Sequence, residues 1–148
     1  MKRTLIYIVV LAAALMIPQE GTDVGKLLPV ELVHLYYIED QLAIETDTGD
    51  LGRGATVEVA LQDLKDTTAG MVFLDTADYL LVSERALGEI TEVRRFLKTS
   101  VRVCMAEPGI DLTAAAEFLA VHKPAATLKN GGKPLQKLKL ENDRMFLE

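Results

Sequence analysis

Apolar and polar residues alternate first at Val33, Leu35 and Tyr37, and again at Leu42 and Ile44. Period-two alternation places every second side chain on one face of a strand. With Glu39-Asp40-Gln41 between them, the two runs predict a β-hairpin. The period then changes. In "ATVEVALQDLKDTT", Val57, Ala60, Leu61 and Leu64 recur at three-and-four spacing behind Thr56, a residue suited to capping a helix start. "MVFL" and "YLLV" are short apolar runs of strand type, separated by "DTAD". A second helical stripe of Ala86, Leu87, Ile90, Val93 and Leu97 follows directly on Ser83-Glu84, where a serine cap and an acid at the positive end of the dipole fit a helix start. "SVRVCMAE" predicts another strand, ended by Pro108-Gly109. "DLTAAAEFLAVHK" predicts a third helix, capped by Asp111 or Thr113 and stopped by Pro124. After the glycine turn "NGGKP", the run "LQKLKLE" alternates once more.

The order is β-β-α-β-α-β-α-β. It predicts an α+β (mixed α/β) domain, a small mixed β-sheet packed with about three helices. An amino-terminal apolar helix precedes it. "MKRTLIYIVVLAAALMIPQEG" sets Lys2 and Arg3 before an uncharged run from Thr4 to Ile17, with Glu20 and Asp23 beyond. That order is the export pattern, and the charge step directs the remainder outward. The run is short for a spanning helix, and both a cleaved signal and an uncleaved signal-anchor fit it. Residues 1–17 are thus signal or anchor, and 18–30, with Pro18, Gly21, Gly25 and Pro29, a linker. Residues 31–130 form the domain, and 131–148 a tail that reads as the start of a further domain.

Charge narrows the partners. The formal net charge is -6, and setting aside Lys2 and Arg3 leaves 14 basic against 22 acidic side chains, a net of about -8. Such a surface suits neither nucleic acid nor electrostatic docking on anionic lipid. Aromatics are only 5 % of the chain, so aliphatic side chains must supply the core.

Candidate chemistry is thin. His34, His122 and Cys104 have no second metal ligand two to four residues away. Cys104 lies in an apolar run and reads as a small buried hydrophobe. Ser83 and Ser100 lack the glycine elbow of a serine nucleophile. Asp75, Asp78 and Glu84 are the best acidic group for acid–base work, although Asp and Thr also form turns for local hydrogen bonding alone. "ETDTGDLG" resembles part of a calcium loop but lacks its terminal glutamate. "GDLGRGA" has three glycines without a P-loop lysine and reads as the exit loop of the hairpin. No catalytic, cofactor-binding or metal-ligating residue is assigned.

Three stretches carry a family resemblance. "GRGATVEVALQDL", "YLLVSERALGEITEVRRFLK" and "SVRVCMAEPG" together resemble the amino-terminal domain of the germinant-receptor C-subunit family, spore germination proteins of endospore-forming bacteria. The likeness covers roughly residues 31–130. It implies a non-enzymatic, membrane-tethered extracytoplasmic protein of the spore inner membrane. Its partners would be membrane-embedded germination receptor subunits, met through protein–protein contacts in nutrient-triggered germination. In that family Ser83 and Glu84 would be a helix-start signature rather than a catalytic pair. Members usually carry an anchoring lipoprotein cysteine behind the signal, and none stands here. The helix face of Arg85, Glu89, Glu92 and Arg95 is a candidate contact surface. The alternative is an extracytoplasmic small-ligand or peptide binding domain unrelated to spores, using the hairpin and the glycine loop.

Overall fold

The computed structural model describes residues 27–130 and 133–148; the amino-terminal apolar helix expected from the sequence lies outside them. A five-stranded mixed sheet forms the centre. β2 (Leu32–Ile38), β3 (Gln41–Thr46) and β4 (Leu51–Gly54) make an antiparallel meander, and β6 (Tyr79–Val82) and β7 (Arg102–Met105) extend it in parallel on the other side of β2, giving the order β4-β3-β2-β6-β7. The chain is therefore a mixed-sheet α+β domain, as its pattern predicts.

Alternation splits the core in two. Val33, Leu35, Leu42, Ile44, Leu80, Val82 and Val103 face α1 (Val57–Thr67). Leu32, Tyr79, Leu81, Cys104 and Ala106 face α3 (Leu112–Val121). All four stripe residues of α1, Val57, Ala60, Leu61 and Leu64, are buried, and the Thr56 hydroxyl accepts from the Val59 amide at 3.3 Å. Asp111 caps α3 by accepting from the Ala114 amide at 3.0 Å.

Four local expectations are corrected. First, the glycine loop is a strand. Leu51–Gly54 pairs with β3 through Ile44↔Gly52 and Leu42↔Gly54. A Cβ at Gly52 would meet the Ala60 carbonyl oxygen and lie 2.5 Å from the Leu64 amide nitrogen; one at Gly54 would lie 2.6 Å from the Ala60 amide nitrogen. The two glycines let α1 lie directly on the edge strand. The Asp63 carboxylate, turned back from α1, accepts from the Arg53 amide at 2.8 Å and so occupies an edge donor.

Second, the segment read as linker contributes β1 (Leu27–Pro29), which pairs in parallel with β5 (Met71–Phe73) as a separate two-stranded ribbon. Thr76 ties the two ends: its hydroxyl accepts from the Val30 amide at 3.0 Å and lies 2.9 Å from the Val30 carbonyl oxygen.

Third, the helix expected from Ser83 is a 3-10 helix over Glu84–Glu89 followed by a single α-turn, α2 (Ile90–Val93). Leu87, Ile90, Val93 and Phe96 recur every three residues and all pack on the first core. In a 3-10 helix residues i and i+3 stack directly, so this spacing gives it one continuous apolar edge. Gly88 further weakens an α-helix there. Ser83 occupies the cap position in extended conformation, but its hydroxyl makes no cap hydrogen bond. Its amide instead donates to the Leu35 carbonyl at 2.9 Å, which extends the β6 ladder by one residue. The half-buried Leu87 contributes more than the exposed Glu84. Leu87→Ala is expected to cost about 2 kcal/mol, and Glu84→Lys about 0.5 kcal/mol, by chemical denaturation.

Fourth, the tail folds back. β8 (Leu138–Glu141) and β9 (Arg144–Leu147) form a hairpin whose turn residues Asn142 and Asp143 both have positive φ (49° and 59°), a conformation Asn and Asp tolerate well. The Met105 amide donates to the Gln136 carbonyl at 2.8 Å, and Leu138 is buried in the α3 core.

Candidate functional site

The sequence-derived acids do not converge. Asp75 and Asp78 precede β6, Glu84 follows it, and all three are exposed. Asp78 is held in an ion pair with Lys98 at 2.7 Å. A four-residue strand separates the ends by more than 10 Å, at about 3.3 Å per residue. In the "ETDTGDLG" loop the oxygens are occupied locally: Asp47 Oδ1 accepts from the Glu31 and Leu32 amides at 3.1 and 3.2 Å, and Asp50 Oδ2 from the Thr48 hydroxyl at 2.8 Å. Among the described residues no three His, Cys, Asp or Glu side chains group as a metal site. His122 follows α3, stacked on Phe118 with ring centroids 4.4 Å apart, and Ser100 is exposed.

The charged face of the 3-10 segment is partly spent inside the molecule. Arg85 donates to the Glu39 carbonyl at 3.2 Å and lies over the Tyr37 ring, whose hydroxyl donates to Glu89 Oε1 at 2.9 Å. These contacts hold the tip of the β2–β3 hairpin against the segment.

Two features remain. One is a polar strip on the α3 face of the sheet. The register sets Glu45, His34, Leu81 and Cys104 side by side, with Arg53, Ala43 and Tyr36 in the next row, which Ser83 continues from the end of β6. Tyr36 donates to Glu45 Oε2 at 2.9 Å; burial first and then this bond push its phenol up to about 12. His34 is fully buried, and Nε2 lies 3.3 Å from the Ala106 carbonyl oxygen. A carbonyl only accepts, so Nε2 carries the proton and Nδ1 presents a lone pair. Burial drives the imidazole pKa down to about 4, against a smaller opposite effect of the Ala106 hydrogen bond and the Glu107 charge, so the ring is neutral. Among the described residues neither His34 Nδ1 nor Ser83 Oγ has a hydrogen-bond partner, although both are buried. The Cys104 thiol, pushed up to about 12 by burial, stays protonated and is no nucleophile.

The other feature is a shallow, open groove between α3 and the β8–β9 hairpin. Phe118, Val121, Leu140 and Met145 give it an apolar floor, with Val121 77 % and Leu140 52 % exposed. Its rim carries the carboxylates of Asp111, Glu117 and Asp143, and among the described residues no basic side chain lines it. The lysines of the adjoining hollow, Lys137 and Lys139, are each engaged by an acid, Glu107 and Glu148. Neither α3 nor the hairpin turn signals this groove in the sequence; its trace is Leu140, apolar between Lys139 and Glu141.

Exposed apolar side chains beside three carboxylates are the chemical character of this surface. No protein-family model matches the chain, and no curated protein or solved structure does either. Among the described residues no helix is long and apolar enough to cross a membrane.

Proposed function

We propose that this chain is a non-enzymatic, extracytoplasmic interaction module, tethered to a membrane through its amino-terminal apolar segment. The observation that carries the reading is the α3–hairpin groove. Large apolar side chains left in water on an open surface mark a site that another molecule covers. The occupant is a partner segment that presents aliphatic side chains flanked by Lys or Arg. The apolar floor takes the aliphatic groups, and the unopposed acids of the rim attract the cations. The same acids disfavour an acidic partner, which supplies selectivity as well as attraction. The likeness of residues 31–130 to germination receptor C subunits gives the contact its setting: a complex with membrane-embedded receptor subunits in nutrient-triggered germination.

A titration of the full chain with two synthetic amphipathic peptides, one Leu/Lys and one Leu/Glu, tests the groove by NMR. The Leu/Lys peptide is expected to shift Phe118, Val121, Leu140 and Met145, and Leu140→Glu to weaken it by tenfold or more. Equal response to both peptides, or shifts that map elsewhere, would contradict the reading.

A second reading, a small-ligand domain, rests on His34 Nδ1 and Ser83 Oγ. Among the described residues these are a buried acceptor and a buried donor without partners on one face, which a small polar guest would satisfy. Ser83→Ala separates the two readings: it removes guest binding while leaving the peptide response unchanged.

A further inference from the structure

The β1–β5 ribbon carries an apolar face that no part of the described chain covers. Leu27 pairs with Met71 and Pro29 with Phe73, and paired residues of a ladder stand on the same face. Met71 is 54 % and Phe73 39 % exposed, Pro29 is exposed and Leu27 half-buried. The opposite face is the inward one: Val72 and the neighbouring Val30 belong to the first core. Six residues, Leu27–Pro29 and Met71–Phe73, make up the ribbon, and none is charged. Edge ribbons of soluble domains usually carry charge on the outward face. This one does the reverse.

Its position in the chain says what covers it. Only nine residues, 18–26, separate Ile17, the last residue of the apolar head, from Leu27. At about 3.3–3.6 Å per residue they span at most about 30 Å even when fully extended. A head held in a bilayer therefore keeps the ribbon within about 30 Å of the lipid, at an effective concentration where a weak contact suffices. We propose that the outward face of the β1–β5 ribbon, centred on Met71 and Phe73, rests in the interfacial layer of the membrane that holds the amino-terminal segment. The proposal builds on the tethering described above and adds an orientation to it. The contact is apolar rather than electrostatic. Glu31 and Asp75 lie just beyond the ribbon, and the net negative charge excludes a mechanism based on anionic headgroups. Phe and Met insert well at such a boundary, where apolar area rather than charge sets the affinity. The ribbon packs on the first core and the acidic groove on the second, across the sheet, so lipid at the ribbon leaves the groove open to a partner.

The test uses the full chain in phosphatidylcholine vesicles, with an environment-sensitive fluorophore on Met71→Cys and, as reference, on Val121→Cys. Cys104 is fully buried with its thiol held protonated, so labelling goes to the introduced cysteine. Nitroxide-bearing lipids are expected to quench the label at 71 at least threefold more than the label at 121, with a blue-shifted emission at 71 alone. If the chain floats with the vesicles but both labels stay in water, the ribbon contact is wrong and the tether stands. A chain that does not float at all overturns both. Shielding at 71 that ignores nitroxide lipids and grows with protein concentration assigns the face to a second copy of the chain, which also overturns the lipid contact.

Discussion

Gly52→Ala is expected to destabilise the domain by about 3 kcal/mol or more, the upper part of the range for overpacking a close-packed core. A methyl group there would meet the Ala60 carbonyl and lie 2.5 Å from the Leu64 amide nitrogen, both backbone atoms of α1. Backbone in the middle of a helix cannot swing aside as a side-chain tip can. Either α1 lifts from the sheet or β4 leaves β3, and both moves expose Leu42, Ile44, Ala60 and Leu64, which are fully buried. Gly88 supplies the control. A Cβ there meets nothing within 4 Å and its φ is not positive. Gly88→Ala should therefore be neutral, or stabilising by up to about 0.5–1 kcal/mol through the lost freedom of the unfolded chain. Equilibrium denaturation of the two variants side by side is the check. Similar losses at both positions would show that β4 is not seated on the helix.

The second large effect is a loss of stability in mild acid. Burial lowers the His34 pKa from 6.5 to about 4 in the folded protein. Between these values the unfolded chain binds a proton that the folded chain refuses. Stability is then complete above about pH 6.5 and falls as the pH drops toward 4, by about 3 kcal/mol in total at 1.36 kcal/mol per pKa unit. The groups facing the ring cannot rescue the charge. Glu107 favours it but is exposed, Glu45 is engaged by Tyr36, and Leu81 and Cys104 offer no counter-charge. Denaturation midpoints at pH 7.5, 6, 5 and 4.5 should trace the loss. His34→Gln, which keeps a donor for Ala106, should flatten it across this window. A wild-type profile that stays flat from 7.5 to 4.5 would mean that His34 is accessible to protons in the folded state.

The parts of the fold that could be read in advance are those whose side-chain period and caps are local in the sequence, although β2 is buried on both faces. β2 and β3 alternate, the α1 stripe recurs at three and four, and caps stand at Thr56 and Asp111; each of these is in place. What could not be read has a physical reason in each case. β4 looks like a loop because two of its four residues are glycine. Glycine is a turn residue in isolation and a close-contact residue under a helix, and only the helix decides which. β1 is three residues long and ends in Pro29, and its pairing with β5 spans more than forty positions that no local pattern records. In the segment after Ser83, a stripe at 86, 87, 90, 93 and 97 suits an α-helix, whereas Leu87, Ile90, Val93 and Phe96 suit a 3-10 helix equally well. The groove is less legible still. It forms where α3 meets a hairpin twenty residues further along, so its floor exists only in the folded chain. The polar strip follows the same rule: His34 and Ser83 are neighbours by strand register, not by sequence.

The glycine pair, the 3-10 spiral and the folded-back hairpin serve one arrangement. A sheet covered on both sides carries an apolar ribbon on the side of its first core and an acid-rimmed apolar groove on the side of its second. The amino-terminal segment ties that arrangement to a membrane in the proposed account. The central claim is therefore one of place and partner. Fractionating dormant spores of a sporulating host that expresses a carboxy-terminally tagged copy tests it most directly. The account predicts recovery with the inner spore membrane, residues 1–17 still attached and receptor subunits in the same fraction. Recovery as a soluble, processed protein outside growing cells would contradict it.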